Sequence, residues 1–192
     1  MGKLEIHPGF WLLLILALTA GAGKVLPLVL MVALFHEMAH LGMLRLFGVR
    51  VQGARLSFVG AEIRADTRYL PYGKEILCVL AGPFVNIAMA LVLARVAEDY
   101  LLAGASMLLG VYNLLPLPEL DGGRALYLLV SWLLDPMRAD AVCRWVGILL
   151  AAAFVLLVAV LSVINRTGIF LPVAVLGLLF PQLPLVKRQE KQ

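Results

Sequence analysis

Apolar residues fill long stretches of the chain, and polar positions fall between them in a few short clusters. A run able to cross about 30 Å of hydrocarbon needs ~20 residues. Candidates lie at 9–23, 26–47, 74–97, 100–117, 145–164 and 168–185. The first is short and the fourth is interrupted, so the pattern predicts five or six crossings. Between the second and third runs lies the most polar stretch, Val49–Tyr69. There Val51, Ala54, Leu56, Phe58, Ala61 and Ile63 partly alternate with Gln52, Arg55, Ser57, Glu62 and Arg64, with Gly53 and Gly60 as breaks. A period near two predicts a short β-hairpin. It must sit in the interface or against protein, because lipid cannot satisfy a strand edge. The expected fold class is an all-α polytopic membrane protein of about six transmembrane helices, with a small membrane-associated β-hairpin between the second and third. We read residues 1–192 as one domain.

Composition sharpens this picture. Of 192 residues 62% are apolar and 15% charged, and the mean hydropathy is +0.98. A soluble domain averages about 45–50% apolar residues, and one core of this size cannot hide so large an excess. A disordered chain and a coiled coil are excluded on the same numbers. The net charge of +4 must be read by position, since Lys and Arg set orientation in membrane proteins. With a cytoplasmic N-terminus and six crossings, thirteen of the sixteen basic residues fall at the inner side, and only Lys24, Arg95 and Arg166 at the outer. That split predicts a multi-pass protein of the cell membrane with both termini cytoplasmic. It makes nucleic acid a poor partner.

The N-terminus has Lys3, the apolar run Phe10–Leu18 and small residues at 20–23, as a signal peptide would. Glu5, His7 and Pro8 precede the run, however, and another apolar segment follows at once, so a retained first span is expected. His7 reads as an interfacial residue. Cys78 and Cys143 have no Cys-x-x-Cys spacing and read as inert packing residues.

The second run contains Phe35-His36-Glu37-Met38-Ala39-His40 near its middle. Histidine and glutamate at that depth are expensive and need a reason. His36 and His40, four residues apart, project from one helix face and form a ready half-site for zinc. Glu37 points about 100° away around the helix, so it can serve as general base without being a ligand. Two of the chain's three histidines occupy this motif, which argues against coincidence.

A catalytic zinc site takes three protein ligands and a water. Glu62 lies 22 residues after His40, near the spacing of soluble zinc proteases with a Glu third ligand. Its place between Arg55 and Arg64 also suits a solvated ion pair. Asp121 is the better candidate. It closes Asn113-Leu-Leu-Pro-Leu-Pro-Glu-Leu-Asp121-Gly-Gly-Arg124, where Pro116 and Pro118 break the fourth helix and Gly122 and Gly123 loosen the backbone beyond. A broken helix at membrane depth is tolerated where it lines a cavity. Glu119 competes by spacing alone. In the third run, Gly82 and Pro83 read as close helix packing and Asn86 as an interhelical hydrogen bond, with a direct catalytic part as the weaker alternative.

His36-Glu-Met-Ala-His40 in a span, with Asn113…Pro116-x-Pro118-x-x-Asp121-Gly, resembles the site-2 protease family of intramembrane zinc metalloproteases. Gly48-Val-Arg-Val51 and Ala81-Gly82-Pro83-Phe-Val-Asn86 are similar to that family as well. The resemblance covers roughly residues 30–130, with a catalytic core of about 26–134. The short layout and Leu120-Asp-Gly-Gly-Arg124 resemble the bacterial branch that includes a sporulation protease acting on a pro-sigma factor. Many members of that branch carry a CBS domain and other bacterial members a PDZ domain; neither is expected in this sequence. Glu119 stands where a small or apolar residue is expected.

The resemblance implies a zinc metalloendopeptidase that cuts a membrane-embedded or membrane-associated protein near the cytoplasmic face. It implies one Zn2+ per chain on His36, His40 and Asp121, and Glu37 as general base. Asn113 matches a position facing substrate, where it would donate to the substrate backbone or the developing oxyanion. A pro-sigma or anti-sigma factor and a membrane regulator are the implied partners. Two other readings of the residues stay open: a membrane-embedded zinc protease with Glu62 as third ligand, and a non-catalytic membrane metal-binding protein.

Overall fold

The computed structural model describes residues 3–6, 19, 23, 25–56 and 61–164. The candidate span at 168–185, nearly all of that at 9–23, His7 and the hairpin tip lie outside the described residues. Among the described residues, five α-helices and three strands follow in chain order. They are β1 (Lys3–Ile6), α1 (Leu26–Leu46), β2 (Val51–Leu56), β3 (Ala61–Ala65), α2 (Tyr72–Val92), α3 (Tyr100–Asn113), α4 (Asp121–Leu133) and α5 (Pro136–Ile164). A π-helical turn, Leu93–Ala97, extends α2.

Three of these helices are long and apolar enough to cross a membrane among the described residues: α1, α2 with its π turn, and α5. The molecule is a membrane protein. The fourth candidate span is not one helix. At 14 residues, α3 reaches only about 21 Å before the chain breaks at Leu114–Leu120 and restarts as α4, as Pro116 and Pro118 dictate. The fifth starts nine residues earlier than its apolar run suggests. Asp135 Oδ1 accepts the Arg138 backbone N–H at 2.8 Å and Pro136 takes the first helical position, a cap and start signal independent of hydropathy.

The polar segment between α1 and α2 folds as the expected hairpin, with β2 antiparallel to β3 and Arg55 opposite Glu62. It is larger than expected, because β1 pairs parallel to β2, Leu4 opposite Ala54, and makes a three-stranded sheet. Lys3-Leu4-Glu5-Ile6 does alternate, but four residues ahead of an apolar run give a weak signal. Gly48 explains how the helix hands over to the sheet. Val49 N–H bonds to Leu44 O and Gly48 N–H to Arg45 O, a Schellman closure with Gly48 at φ 73°, where a Cβ would be strained.

α2 is the central helix. A third of its apolar window is buried, against 11% for α1 and 17% for α5, and it packs on α1, α3 and α4. Val79 on α2 meets Ala125 and Leu128 on α4, with Ile76, Leu80 and Tyr127 around them. α3 comes close to α2 where a Cβ on Gly110 would lie 3.0 Å from the Pro83 carbonyl oxygen, a small-residue contact typical of membrane helices. Glu75 Oε1, at the start of α2, accepts from Thr67 Oγ1 at 2.8 Å and from Arg124 Nη2 at 2.9 Å. One carboxylate thus ties the exit of the sheet to α4, three residues beyond Asp121. In the loop between β3 and α2, Arg68 grips Asp66 through Nε and Nη2 at 2.9 and 2.8 Å, which lowers that carboxyl to about 2.

Candidate metal centre

His36 and His40 do share one face of α1, and α4 brings Asp121 against them. His36 Nε2 lies 3.0 Å from Asp121 Oδ2, and His40 Nε2 lies 3.3 Å from the same oxygen. The two Nε2 atoms are 3.1 Å apart, with the rings edge to face at 81°. Tetrahedral zinc, at about 2.0–2.1 Å from its nitrogen ligands, needs ligand atoms roughly 3.3 Å apart. The three side chains fit such an ion with an opening of a few tenths of an ångström. They are the only group of three or more candidate metal-ligating side chains among the described residues. Placement in apolar helices supports the fit, because charge buried at that depth needs a partner.

The back wall of the site is α2. A Cβ on Gly82 would lie 2.7 Å from His36 Nε2 and Cε1, and would overlap His40 Nε2. The missing side chain therefore creates the space in which the imidazoles converge. Four residues before it, the Cys78 carbonyl accepts from His40 Nδ1 at 2.8 Å. Four residues after it, Asn86 Nδ2 lies 3.1 Å from His36 Nδ1. Residues 78, 82 and 86 form one stripe at helical spacing, and each touches a histidine. The interhelical hydrogen bond expected of Asn86 is present, with His36 as its partner. The Cys78 carbonyl is a backbone group that no residue type reveals, although the four-residue spacing from Gly82 was legible.

The remaining candidates sit elsewhere. Glu37 is half-buried on α1, at the position next to His36. Asn113, at the end of α3, donates from Nδ2 to the Leu109 carbonyl at 3.0 Å. Glu119 is exposed and outside the His–His–Asp group. The Glu62 side chain is outside the described residues, and only its backbone pairing is placed. Gly122 and Gly123 act differently from the flexible joint expected of them. A Cβ on Gly122 would overlap the Leu114 carbonyl, and one on Gly123 the Leu117 carbonyl. They let the Leu114–Pro118 loop fold back onto the start of α4, which presents Asp121.

The fold brings a partly buried His–His–Asp group together where α1 and α4 meet α2. The solved structure of the site-2 protease from Methanocaldococcus jannaschii matches it with a TM-score of 0.65 at 21% identity, over 92% of this chain and 87% of that one. Stage IV sporulation protein FB of Bacillus subtilis is 28% identical over 138 residues, which is 67% of this chain and 48% of that protein. Zinc metalloprotease MJ0392 of Methanocaldococcus jannaschii is 26% identical over 171 residues, 80% of this chain and 50% of that protein. The chain spans about half the length of the curated relatives it matches. No protein-family model matches it. The chain thus has the fold of a site-2 protease and is similar in sequence to a sporulation protein and a zinc metalloprotease.

Proposed function

We propose that the chain is an intramembrane zinc metalloendopeptidase that hydrolyses a peptide bond of a membrane-embedded or membrane-associated protein near the cytoplasmic face. The convergence of His36, His40 and Asp121 within 3.3 Å of one another, with Glu37 on the next position of the helix, carries this reading. Residues 26–134 form its catalytic core and hold one zinc per chain. Zinc, when bound, supplies Lewis acidity, polarising the scissile carbonyl and making water a nucleophile near neutral pH. Glu37 takes the proton of the attacking water and delivers it to the leaving amine. Asn113, once released from the Leu109 carbonyl, donates to the substrate backbone or the oxyanion. A helical substrate hides its carbonyls in its own hydrogen bonds and must unwind first. β3, the outer strand of the sheet among the described residues, is suited to receive the unwound strand by edge addition. A pro-sigma or anti-sigma factor is the substrate class that the sequence resemblance implies, and a membrane regulator fits the same setting.

Orientation follows from the basic residues, thirteen of which flank the inner ends of the helices in the six-span layout. The sheet supports it. β1 pairs with β2, which follows directly on α1, so the N-terminal strand lies at the Phe47 end of that helix. Cysteine labelling after replacement of Cys78 and Cys143 tests the layout. Residue 98 should react from outside and residue 190 should be protected. External labelling at 190 would sink both the six-span count and the cytoplasmic termini.

In this orientation His40 sits roughly 10 Å from the inner end of α1, and α3 delivers the break and Asp121 to the same half of the bilayer. The test is a tethered single-span substrate in proteoliposomes, with cleavable positions moved stepwise across the membrane. Cleavage is expected only in the cytoplasmic half, lost on zinc chelation and restored by added zinc. Cleavage insensitive to chelation, or confined to the outer half, would overturn the proposal.

A further inference from the structure

We propose that Glu75 is a positioning residue: its carboxylate fastens Arg124 of α4 to Thr67 in the loop leaving β3, and this clasp sets where Asp121 stands against the two histidines. The inference rests on the metalloprotease reading above and deepens it, since it concerns what holds the third ligand in place.

Of the three side chains at the metal centre, Asp121 is the one its own chain holds least. It is the first residue of α4, and Leu120 before it offers no side-chain cap. The break at Leu114–Leu120 separates it from α3, whereas His36 and His40 ride on the regular helix α1. Gly122 and Gly123 lock the loop onto the start of α4, but that joins the loop to its own helix and not to α1 or α2. Against α2, α4 rests on Val79 through Ala125 and Leu128. Apolar contact is non-directional and does not by itself fix the rotation or register of a helix.

Glu75 and Arg124 supply the direction. Arg124 Nη2 lies 2.9 Å from Glu75 Oε1. Among the described residues this is the one side-chain hydrogen bond from α4 to another element that does not involve Asp121 itself. Charge-assisted bonds of a guanidinium are both strong and geometrically specific. Glu75 lies seven residues before Gly82, so it continues the stripe of α2 that carries residues 78, 82 and 86 past the histidines. Arg124 lies three residues after Asp121. The clasp therefore grips α4 within one turn of the ligand, from the face of α2 that walls the site. The anchor is the buried member, with the Glu75 side chain 13% exposed against 52% for Arg124. Thr67 Oγ1 donates to the same Glu75 oxygen at 2.8 Å. Thr67 stands two residues beyond β3, and with Glu75 it lines a cleft of about 520 Å³ beside the exit of the sheet. Pressure on that loop, from a substrate strand paired on β3 for example, bears on Glu75 and through it on Asp121.

Three variants of the full chain in detergent micelles test this, with Co2+ in place of zinc as the probe of ligand geometry. Glu75→Gln keeps the shape and the acceptor for Thr67 but loses the charge. Its cobalt absorption spectrum should depart from the parent's. Its zinc affinity, by competition with a chromophoric chelator, should fall about 2–10-fold, the scale of one hydrogen bond. On the zinc-loaded protein kcat for a tethered substrate should fall about 10-fold or more, since misplacements near 1 Å cost up to about 10²-fold, with KM nearly unchanged. Arg124→Gln should reproduce these changes, and the double variant should be no worse than either alone, because residues acting as one unit are not additive. Thr67→Val should move the spectrum in the same direction and by less. A role in stability alone would lower the melting temperature but leave the spectrum and kcat of the folded, metal-loaded protein at parent values, and that result would overturn the proposal. Losses that multiply in the double variant would overturn it as well, and a Thr67→Val spectrum identical to the parent's would overturn the link to the sheet. A parent chain that takes up neither zinc nor cobalt would overturn the metalloprotease reading itself, which is a separate outcome.

Discussion

Glu37→Gln is expected to keep one zinc per chain and to slow cleavage of a membrane-tethered substrate by about 10²–10⁴-fold, the usual contribution of a positioned general base. The change preserves side-chain shape and hydrogen bonding but removes the group that accepts a proton. His36→Ala, His40→Ala and Asp121→Ala should behave differently, losing both the metal and the activity, because each removes one of the three atoms that lie within 3.3 Å of one another. Metal analysis of the purified variants beside a cleavage assay separates the two classes. A Glu37→Gln protein that loses its zinc would make Glu37 a ligand. A Glu62→Ala protein that loses zinc while Asp121→Ala retains it would transfer the third ligand to the sheet. Unchanged function in Glu37→Gln with zinc bound would favour a metal carrier over a protease.

The parts of this fold that were legible in the sequence are those fixed by local chemistry. His36 and His40 needed only the helical repeat to share a face, and Pro116 and Pro118 needed only their ring to break α3 ahead of Asp121. Hydropathy marks only the apolar part of α5, residues 145–164, whereas the helix itself begins at the Asp135-Pro136 cap. β1 leaves a fainter mark still. Its four residues become a strand by pairing with β2, some fifty positions away, and such tertiary pairing leaves little local trace. The same holds at the metal centre. Gly82 and Asn86 were visible as small and polar residues in an apolar helix, but their relation to the histidines depends on how α1 packs against α2. Gly122 and Gly123 read as flexibility, whereas their role is the close approach of the Leu114–Pro118 carbonyls.

That dependence on close approach makes Gly82→Ala the most informative single methyl in the molecule. In an isolated helix the change is favourable by about 1 kcal/mol, and Gly82 lies within regular α2, so secondary structure should be kept. The added Cβ, however, meets the metal-facing edges of both rings, His36 Nε2 and Cε1 at 2.7 Å and His40 Nε2 closer still. The rings cannot simply swing aside, because their rear nitrogens are held by the Cys78 carbonyl and Asn86. Relief must come from separating α1 and α2 or from breaking one of those bonds, and either displaces a ligand by about the length of the misfit. Displacements near 1 Å cost on the order of 10²-fold in rate when they fall on reacting groups. We expect a folded protein with zinc occupancy well below one and activity reduced at least that far. Gly104→Ala in α3 is the control, since nothing lies within 4 Å of its Cβ and it gains helix propensity without touching the site. Zinc content and circular dichroism of the two variants decide the matter. Full zinc occupancy in Gly82→Ala would mean that α1 and α2 have slack at the metal centre, and that the glycine is there for some purpose other than the histidines.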